Sequence, residues 1–385
     1  MGATHGLAGR AAGEKHFMKT LYGLTPDEIE AFVIAQGLPK YRAAQLMGWI
    51  YQKNVLAWDE IRNLPKEMLQ KLSENIRLTA LQPDEGKKTV AAGTTKFLFK
   101  TGDGHFLESV LISRMDATDP EDGEEAIPQG RRETVCVSTQ LGCKVQCVFC
   151  ASGQAKFTRN LTTGEIVEQV ARIARMKGKK ITNVVFMGMG EPLDNYEATL
   201  KAVRILIEPW GFGFGARRVT VSTSGITPKI LEFVKAVDGR VRLSVSLHSS
   251  IDEVRSTLVP INRRYPLKDL ISALRRINQD LKRDITFEYT LIAGVNDSEE
   301  EAEGVSIIAK PLRAKINVIP YNPIAEYPHK APTPEATERF CEQLERRGLH
   351  VILRKTVGHD IDAACGQLRL DRERRTERAP RNSSR

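Results

Sequence analysis

Gly142-Cys143-Lys144-Val145-Gln146-Cys147-Val148-Phe149-Cys150, set just behind the strand-like run Val135-Cys136-Val137-Ser138, is the stretch on which the reading of this chain turns. Its Cys-x3-Cys-x2-Cys spacing gathers three thiols in one short loop, one ligand fewer than a closed four-coordinate metal site requires. A coordination position left open points to catalysis. The alternative is a zinc knuckle completed by Cys136, Cys365 or a histidine, although zinc sites commonly show paired Cys-x2-Cys units.

Outward from that loop, strand and helix patterns alternate. Strand-like stretches are 135–138, 181–187, 218–222, 241–247, 285–291 and 315–321, with helical patterns near 163–176, 196–207, 228–237, 267–281, 298–312 and 334–347. Six consecutive strand-helix units predict a parallel sheet with helices outside, as an open or closed barrel of fewer strands than the full eight. Upstream, Thr25-Pro26-Asp27-Glu28 carries an N-cap threonine, a proline at the first helical position and a glutamate three residues after the cap. Two more short helices are expected at 41–53 and 65–76. Thr95–Phe99 and His105–Ile112 alternate like strands around Thr101-Gly102-Asp103-Gly104, whose Asp-Gly step suits a tight hairpin turn. The expected organisation is a flexible N-terminus (1–20), a small helical domain (21–80), a β-hairpin extension with an acidic loop (81–130), an α/β core (131–348), a C-terminal segment (349–370) and a basic, disordered tail (371–385).

The chain of 385 residues is long enough to bury its core without disulfide staples. Six cysteines, three of them within eight positions, suit metal and redox chemistry in a reducing compartment. No run of about 18 apolar residues suggests a membrane span, and the first residues hold no apolar signal core, so a cytoplasmic location and no membrane partner are expected. Lys plus Arg number 57 against 48 Asp plus Glu, a formal charge of +9. That balance is compatible with a polyanionic partner but is also ordinary for a soluble protein.

Active sites of parallel barrels collect at the carboxyl ends of the strands. The cysteine loop follows the first strand. Met187-Gly188-Met189-Gly190-Glu191-Pro192 follows the second, Ser222-Thr223-Ser224-Gly225 the third, Ser246-Leu247-His248 the fourth and Asn322 the sixth. These short polar groups suit a ribose, a carboxylate, an amine or an adenine edge. Two further cysteines stand apart: Cys136 on the first strand and Cys365 in an Ala-Ala-Cys-Gly run whose small neighbours leave it accessible as a nucleophile. Cys341, beside Phe340 and Leu344 in a helical pattern, reads as packing.

The cysteine spacing, with an aromatic before its third member, resembles the signature of radical S-adenosylmethionine (SAM) enzymes. Together with Cys136, the Met-Gly-Met-Gly-Glu-Pro turn, Arg218-Val219-Thr220-Val221-Ser222-Thr223-Ser224-Gly225, Ser246-Leu247-His248 and Asp360-Ile361-Asp362-Ala363-Ala364-Cys365-Gly366-Gln367-Leu368, it resembles the RlmN family of RNA adenine methyltransferases from about Leu21 to Leu368. The resemblance implies a three-quarter barrel, one 4Fe-4S cluster on Cys143, Cys147 and Cys150, and SAM held by Gly190, Glu191, Ser222, Ser246, Leu247, His248 and Asn322. It further implies Cys365 as an S-methylcysteine carrier, Glu108 as proton acceptor and Cys136 as the thiol forming a transient disulfide with Cys365. The implied substrates are an adenosine of 23S rRNA and one next to the anticodon of some tRNAs, methylated at carbon 2 with two SAM per turnover. A reducing donor such as flavodoxin or ferredoxin is implied as partner, and residues 21–80 as an RNA-contacting domain. Two other readings stay open: a sister enzyme acting at carbon 8, and a non-catalytic, zinc-stabilised RNA-binding protein.

Overall fold

The computed structural model describes residues 19–91, 93–114, 132–178, 180–282, 284–354 and 368. The expectations for residues 1–18, the acidic loop 116–129, Cys365 and the basic tail lie outside them. Three helices come first: α1 (Pro26–Ala35), α2 (Tyr41–Met47) and α3 (Lys66–Asn75). The capping box forms at α1, where Thr25 N donates to Glu28 Oε2 at 2.8 Å and Glu28 N donates to Thr25 Oγ1 at 3.4 Å. The expected second helix is split, because α2 passes into one π-type turn over Gly48–Gln52.

Next come β1 (Gln82–Ala91), β2 (Thr94–Lys100), β3 (Phe106–Arg114) and β4 (Arg132–Cys136). The two-residue strands β5 (Gln140–Leu141) and β6 (Arg159–Asn160) form a separate ribbon, and the sheet continues with β7 (Asn183–Phe186), β8 (Val219–Thr223), β9 (Arg242–Ser246), β10 (Thr286–Leu291), β11 (Lys315–Pro320) and β12 (Val351–Leu353). Among the described residues, ten strands make one sheet in the order β1-β2-β3-β4-β7-β8-β9-β10-β11-β12. From β4 to β12 every neighbour is parallel, whereas β1 to β4 pair antiparallel. Among the described residues the sheet ends at β1 and β12 without closing, so the core is a partial barrel. The helices are α4 (Ala151–Gln154), α5 (Thr163–Lys177), α6 (Tyr196–Ile207), α7 (Thr227–Ala236), α8 (Asp252–Leu258), α9 (Leu267–Ile277), α10 (Glu299–Ala309) and α11 (Pro334–Arg346). Among the described residues, no helix is long and apolar enough to cross a membrane.

Period-two alternation assigns the two sheet faces. Val135, Val184, Val221, Val245, Phe287 and Val318 are fully buried, and Tyr289 of the same parity stacks on Phe340 of α11 with ring centroids 5.2 Å apart. The opposite face is polar. Ser222 aligns with Ser244, and Glu288 with both Ser246 and Asn317, in adjacent positions across β8 to β11. Further features depart from the sequence reading, among them the ribbon β5–β6 and the one-turn helix α4. β1 is an extra edge strand whose charged, Pro-containing sequence shows no apolar alternation. The hairpin closes over five residues, with Thr101 N donating to His105 O at 2.8 Å, rather than at a two-residue Asp-Gly turn. The short helix α8 was not expected.

The N-terminal helices share one apolar core with the barrel. At the seam two glycines meet: a Cβ on Gly23 would stand 2.7 Å from Gly164 N, and one on Gly164 would stand 2.2 Å from Thr20 Oγ1. Beside them Glu168 of α5 accepts from Ala80 N at 2.6 Å, Leu81 N at 3.1 Å and Arg172 Nε at 2.5 Å. Burial pushes the Glu168 carboxyl up, to about 7, despite these donors. Gly164→Val is therefore expected to destabilise the protein by about 1–3 kcal/mol through overpacking. Urea denaturation measures it, and an unchanged midpoint would refute the tight seam.

Candidate active site

The three cysteines share one cavity, at the carboxyl ends of the parallel strands, with Gly190, Glu191, Ser222, Ser246, His248 and Asn322. Their loop is fixed from both sides. Val148 N donates to Leu258 O at 3.1 Å, Cys150 N to Cys147 O at 3.2 Å, and Ser152 Oγ to Leu368 O at 2.9 Å. Phe149 meets the His248 ring edge-on, with centroids 4.7 Å apart, and belongs with Val145, Leu258, Val259, Ile292 and Tyr321 to a separate apolar cluster under the cysteines.

Burial pushes all three thiols up, Cys143 to about 12 and Cys147 well above its ordinary value. They are therefore protonated when free, and a metal must displace the protons to bind thiolate. Three soft thiols on a largely apolar wall fit an iron-sulfur cluster, in which each ligand takes a different iron. Among the described residues, no group of three His, Cys, Asp or Glu side chains is arranged as a single-ion site.

Gly190 adopts φ +99°, and a Cβ there would stand 2.5 Å from Gln140 Cβ, so only glycine passes this turn. Glu191 follows, its amide donating to Gln140 Oε1 at 3.0 Å. Its buried carboxylate accepts from Ser224 N and Oγ at 2.7 and 2.6 Å and from Leu193 N at 3.0 Å. Burial pushes its pKa up, against those hydrogen bonds. Both Ser224 donors fall on Oε2, so it is Oε1 that is left able to accept from a bound amine. His248 has φ +59° and takes Thr290 N on Nδ1 at 3.0 Å. That bond leaves the proton of the neutral ring on Nε2. Burial first, then the nearby Arg255 charge, pushes its pKa down to about 3.

Leu247 differs from its neighbours. Its side chain lies in the core, and its backbone is committed, with N donating to Glu288 O at 3.0 Å and O accepting from Arg255 Nε at 3.0 Å. Cys136 and Glu108 do not line the cavity. Cys136 is buried opposite Val110 of β3 and Val185 of β7, and Glu108 lies two residues along the same face of β3, with Lys96 Nζ 3.2 Å from its Oε1. The two are thus diagonal neighbours on the inner face. Cys341 is buried in α11, with Phe340 and Leu344 in the core.

Sequence reasoning passed over Glu288, which lines the cavity and accepts from Ser244 Oγ at 2.8 Å and Asn317 Nδ2 at 3.0 Å. The signal was present: in Thr286-Phe287-Glu288-Tyr289-Thr290-Leu291 every second residue is polar, so one face of a central strand turns away from the core. Ser224 was read only as part of a polar run.

An open parallel barrel with three cysteines at the end of its first parallel strand is the architecture of the radical SAM class, and the family model described as "Radical SAM superfamily" matches residues 137–303. A second, "Ribosomal RNA large subunit methyltransferase N-terminal domain", matches residues 19–78. The chain is 42% identical over 365 residues to a probable dual-specificity RNA methyltransferase RlmN 3 of Opitutus terrae, covering 92% of this chain and 95% of that one. It is 41% identical over 350 residues to a dual-specificity RNA methyltransferase RlmN of Geotalea uraniireducens, covering 90% and 96%. A crystal structure of a radical SAM methyltransferase from Sphaerobacter thermophilus superposes with a TM-score of 0.83 at 44% identity, covering 91% and 99%. The chain belongs to the RlmN family.

His248 yields a pH prediction. Its folded pKa is about 3 against an ordinary 6.5, so between those values the unfolded chain binds a proton that the folded one refuses. Stability is full above the upper value and falls with acidification by about tenfold in the folding equilibrium per pH unit. His248→Asn, which tolerates the left-handed backbone, should flatten that acid limb by one proton. Urea titrations from pH 4 to 7 test this, and identical slopes would refute it.

Proposed function

We propose that this chain methylates carbon 2 of one adenosine in 23S rRNA and of the adenosine next to the anticodon in some tRNAs, using two SAM per turnover. The observation that carries the reading is the convergence of Cys143, Cys147, Cys150, Glu191 and His248 on one cavity, in a chain whose relatives bear the name dual-specificity RNA methyltransferase. Carbon 2 of adenine has no nucleophilic electron pair, so polar attack on a sulfonium methyl is closed to it. When bound, SAM and a 4Fe-4S cluster would supply the methyl group and the one-electron chemistry that side chains lack.

The chain's residues take these roles. Cys143, Cys147 and Cys150 hold the cluster. Glu191 accepts from the SAM amino group, His248 offers its Nε2 proton to an acceptor of the ligand, and Gly190, Ser222, Ser246, Leu247 and Asn322 complete the SAM site, Leu247 through its backbone. Cys365 carries the methyl group as a thioether and becomes joined to the base through that carbon. Glu108 accepts the ring proton. The Cys136 thiolate then attacks the Cys365 sulfur, breaking its bond to the methylene carbon; that carbon keeps the electron pair and takes up a proton, so methylated RNA leaves and a disulfide remains. Residues 21–80 contact the RNA, and flavodoxin or ferredoxin supplies electrons.

Anaerobic incubation with SAM, reductant and unmodified ribosomal RNA should yield 2-methyladenosine by nucleoside mass spectrometry. The 8-methyl isomer would identify the sister activity instead. No product together with stoichiometric zinc would leave an RNA-binding protein. Alanine at any of Cys143, Cys147 or Cys150 should abolish both iron and product.

The two remaining thiols separate in a second experiment. Cys365→Ala should form neither methylated protein nor product, whereas Cys136→Ala should accumulate a covalent RNA adduct, visible on denaturing gels with labelled RNA. Normal turnover by either variant would refute the two-thiol route.

A further inference from the structure

Arg255, on α8, is the largest fully buried side chain among the described residues. Among the described residues, all its hydrogen bonds go to uncharged oxygens. Nε donates to Leu247 O at 3.0 Å, one terminal nitrogen to Ser224 O at 2.8 Å and Ser246 O at 2.9 Å, and the other to Asn262 Oδ1. Among the described residues, no carboxylate stands within ion-pair distance of it. The nearest in this network, Asp252, is reached only through Asn262, whose Nδ2 donates to Asp252 Oδ1 at 3.0 Å, and that oxygen also accepts from Leu267 N at 2.7 Å.

A guanidinium withdrawn from water without a paired anion carries a desolvation penalty of several kcal/mol, so its charge needs a counterpart. The helix that carries it lies against the cysteine loop, and Ser224 and Ser246, whose carbonyls it binds, line the same cavity as the cysteines. Helix α8 bonds to the cysteine loop through Leu258 O and Val148 N at 3.1 Å, and Val254, the residue before Arg255, packs in the apolar cluster against which Cys143, Cys147 and Cys150 lie. Burial pushes the guanidinium down, to about 10, and Cys147 opposes that first, ahead of Asp252.

We infer that Arg255 is a positioning residue with two duties: the buried counter-cation of the three-cysteine centre, and the clamp on the strand ends that carry Ser224, Ser246 and Leu247. The inference rests on Cys143, Cys147 and Cys150 being cluster ligands. Three thiolates on a 4Fe-4S core leave a net negative centre, and reduction adds another negative charge. A fixed cation close by favours the reduced form and raises the potential.

The test compares the full chain, anaerobically loaded with iron and sulfide, as wild type, Arg255→Gln and Arg255→Lys. The Gln variant should show a more negative midpoint potential and a smaller rise in melting temperature on loading. The Lys variant keeps the charge but cannot span the carbonyls. It should hold the wild-type potential while binding S-adenosylhomocysteine, measured calorimetrically, at least about tenfold more weakly, a loss of roughly 1.4 kcal/mol. If the Gln variant does not fold, the Lys variant alone carries the test through its unchanged potential and weakened binding. A Gln variant with wild-type potential and loading response, or a Lys variant with a displaced potential or wild-type binding, would overturn the proposal. A wild-type protein that takes up no iron would instead overturn the cysteine assignment beneath it.

Discussion

Ser224 holds two buried charges apart, and the mouth of the barrel is arranged around it. Its amide and hydroxyl donate to the Glu191 carboxylate while its carbonyl accepts from Arg255. The turns after β7, β8 and β9 are thereby tied to one another and to α8, itself bonded to the cysteine loop. Removing one member of such a network strands its partners without water or counter-charge, at about 3–5 kcal/mol where the stranded group is ionic. Rigidity at the site is therefore a by-product of burying charge, and the cavity is shaped before any ligand enters.

The same economy governs the strands. An ordinary parallel sheet is apolar on both faces because helices cover both or because side chains fill the barrel. Here the helix-facing parity is the apolar one on the central strands. On β9 to β11 the other parity carries Glu288, which accepts from Ser244 on one side and Asn317 on the other. A polar lumen of this kind forgoes part of the core a closed barrel would have, and the stability comes from the outer layer, where Val, Ile, Leu and Phe of the strands meet α5 to α7 and α9 to α11.

Much of this was legible in the sequence, because it is written locally. The strand-helix alternation, the Thr25 capping box and the polar residues after each strand all depend on neighbours within a few positions. Arg255 was illegible for the opposite reason. In a seven-residue helix rich in charged and polar side chains it reads as a solvent-facing residue, and its partners are main-chain carbonyls as far as 31 positions away, which no side-chain pattern announces. β1 escaped because Lys87 and Lys88 break any apolar period at an edge where strand propensity decides little. Cys136 and Glu108 were legible as candidates, and the register of β3 and β4 makes them neighbours, a proximity that sequence separation conceals.

Among the described residues, the sheet that ends at β1 on one side and β12 on the other is a slot and not a hole. Into a closed barrel a reactant must descend along the axis, so whatever is attached to it must trail out through the same mouth. A slot has a flank. A single residue of a long polymer can be offered from the side with the chain running past at both ends, and nothing has to be threaded or cut to admit or release it.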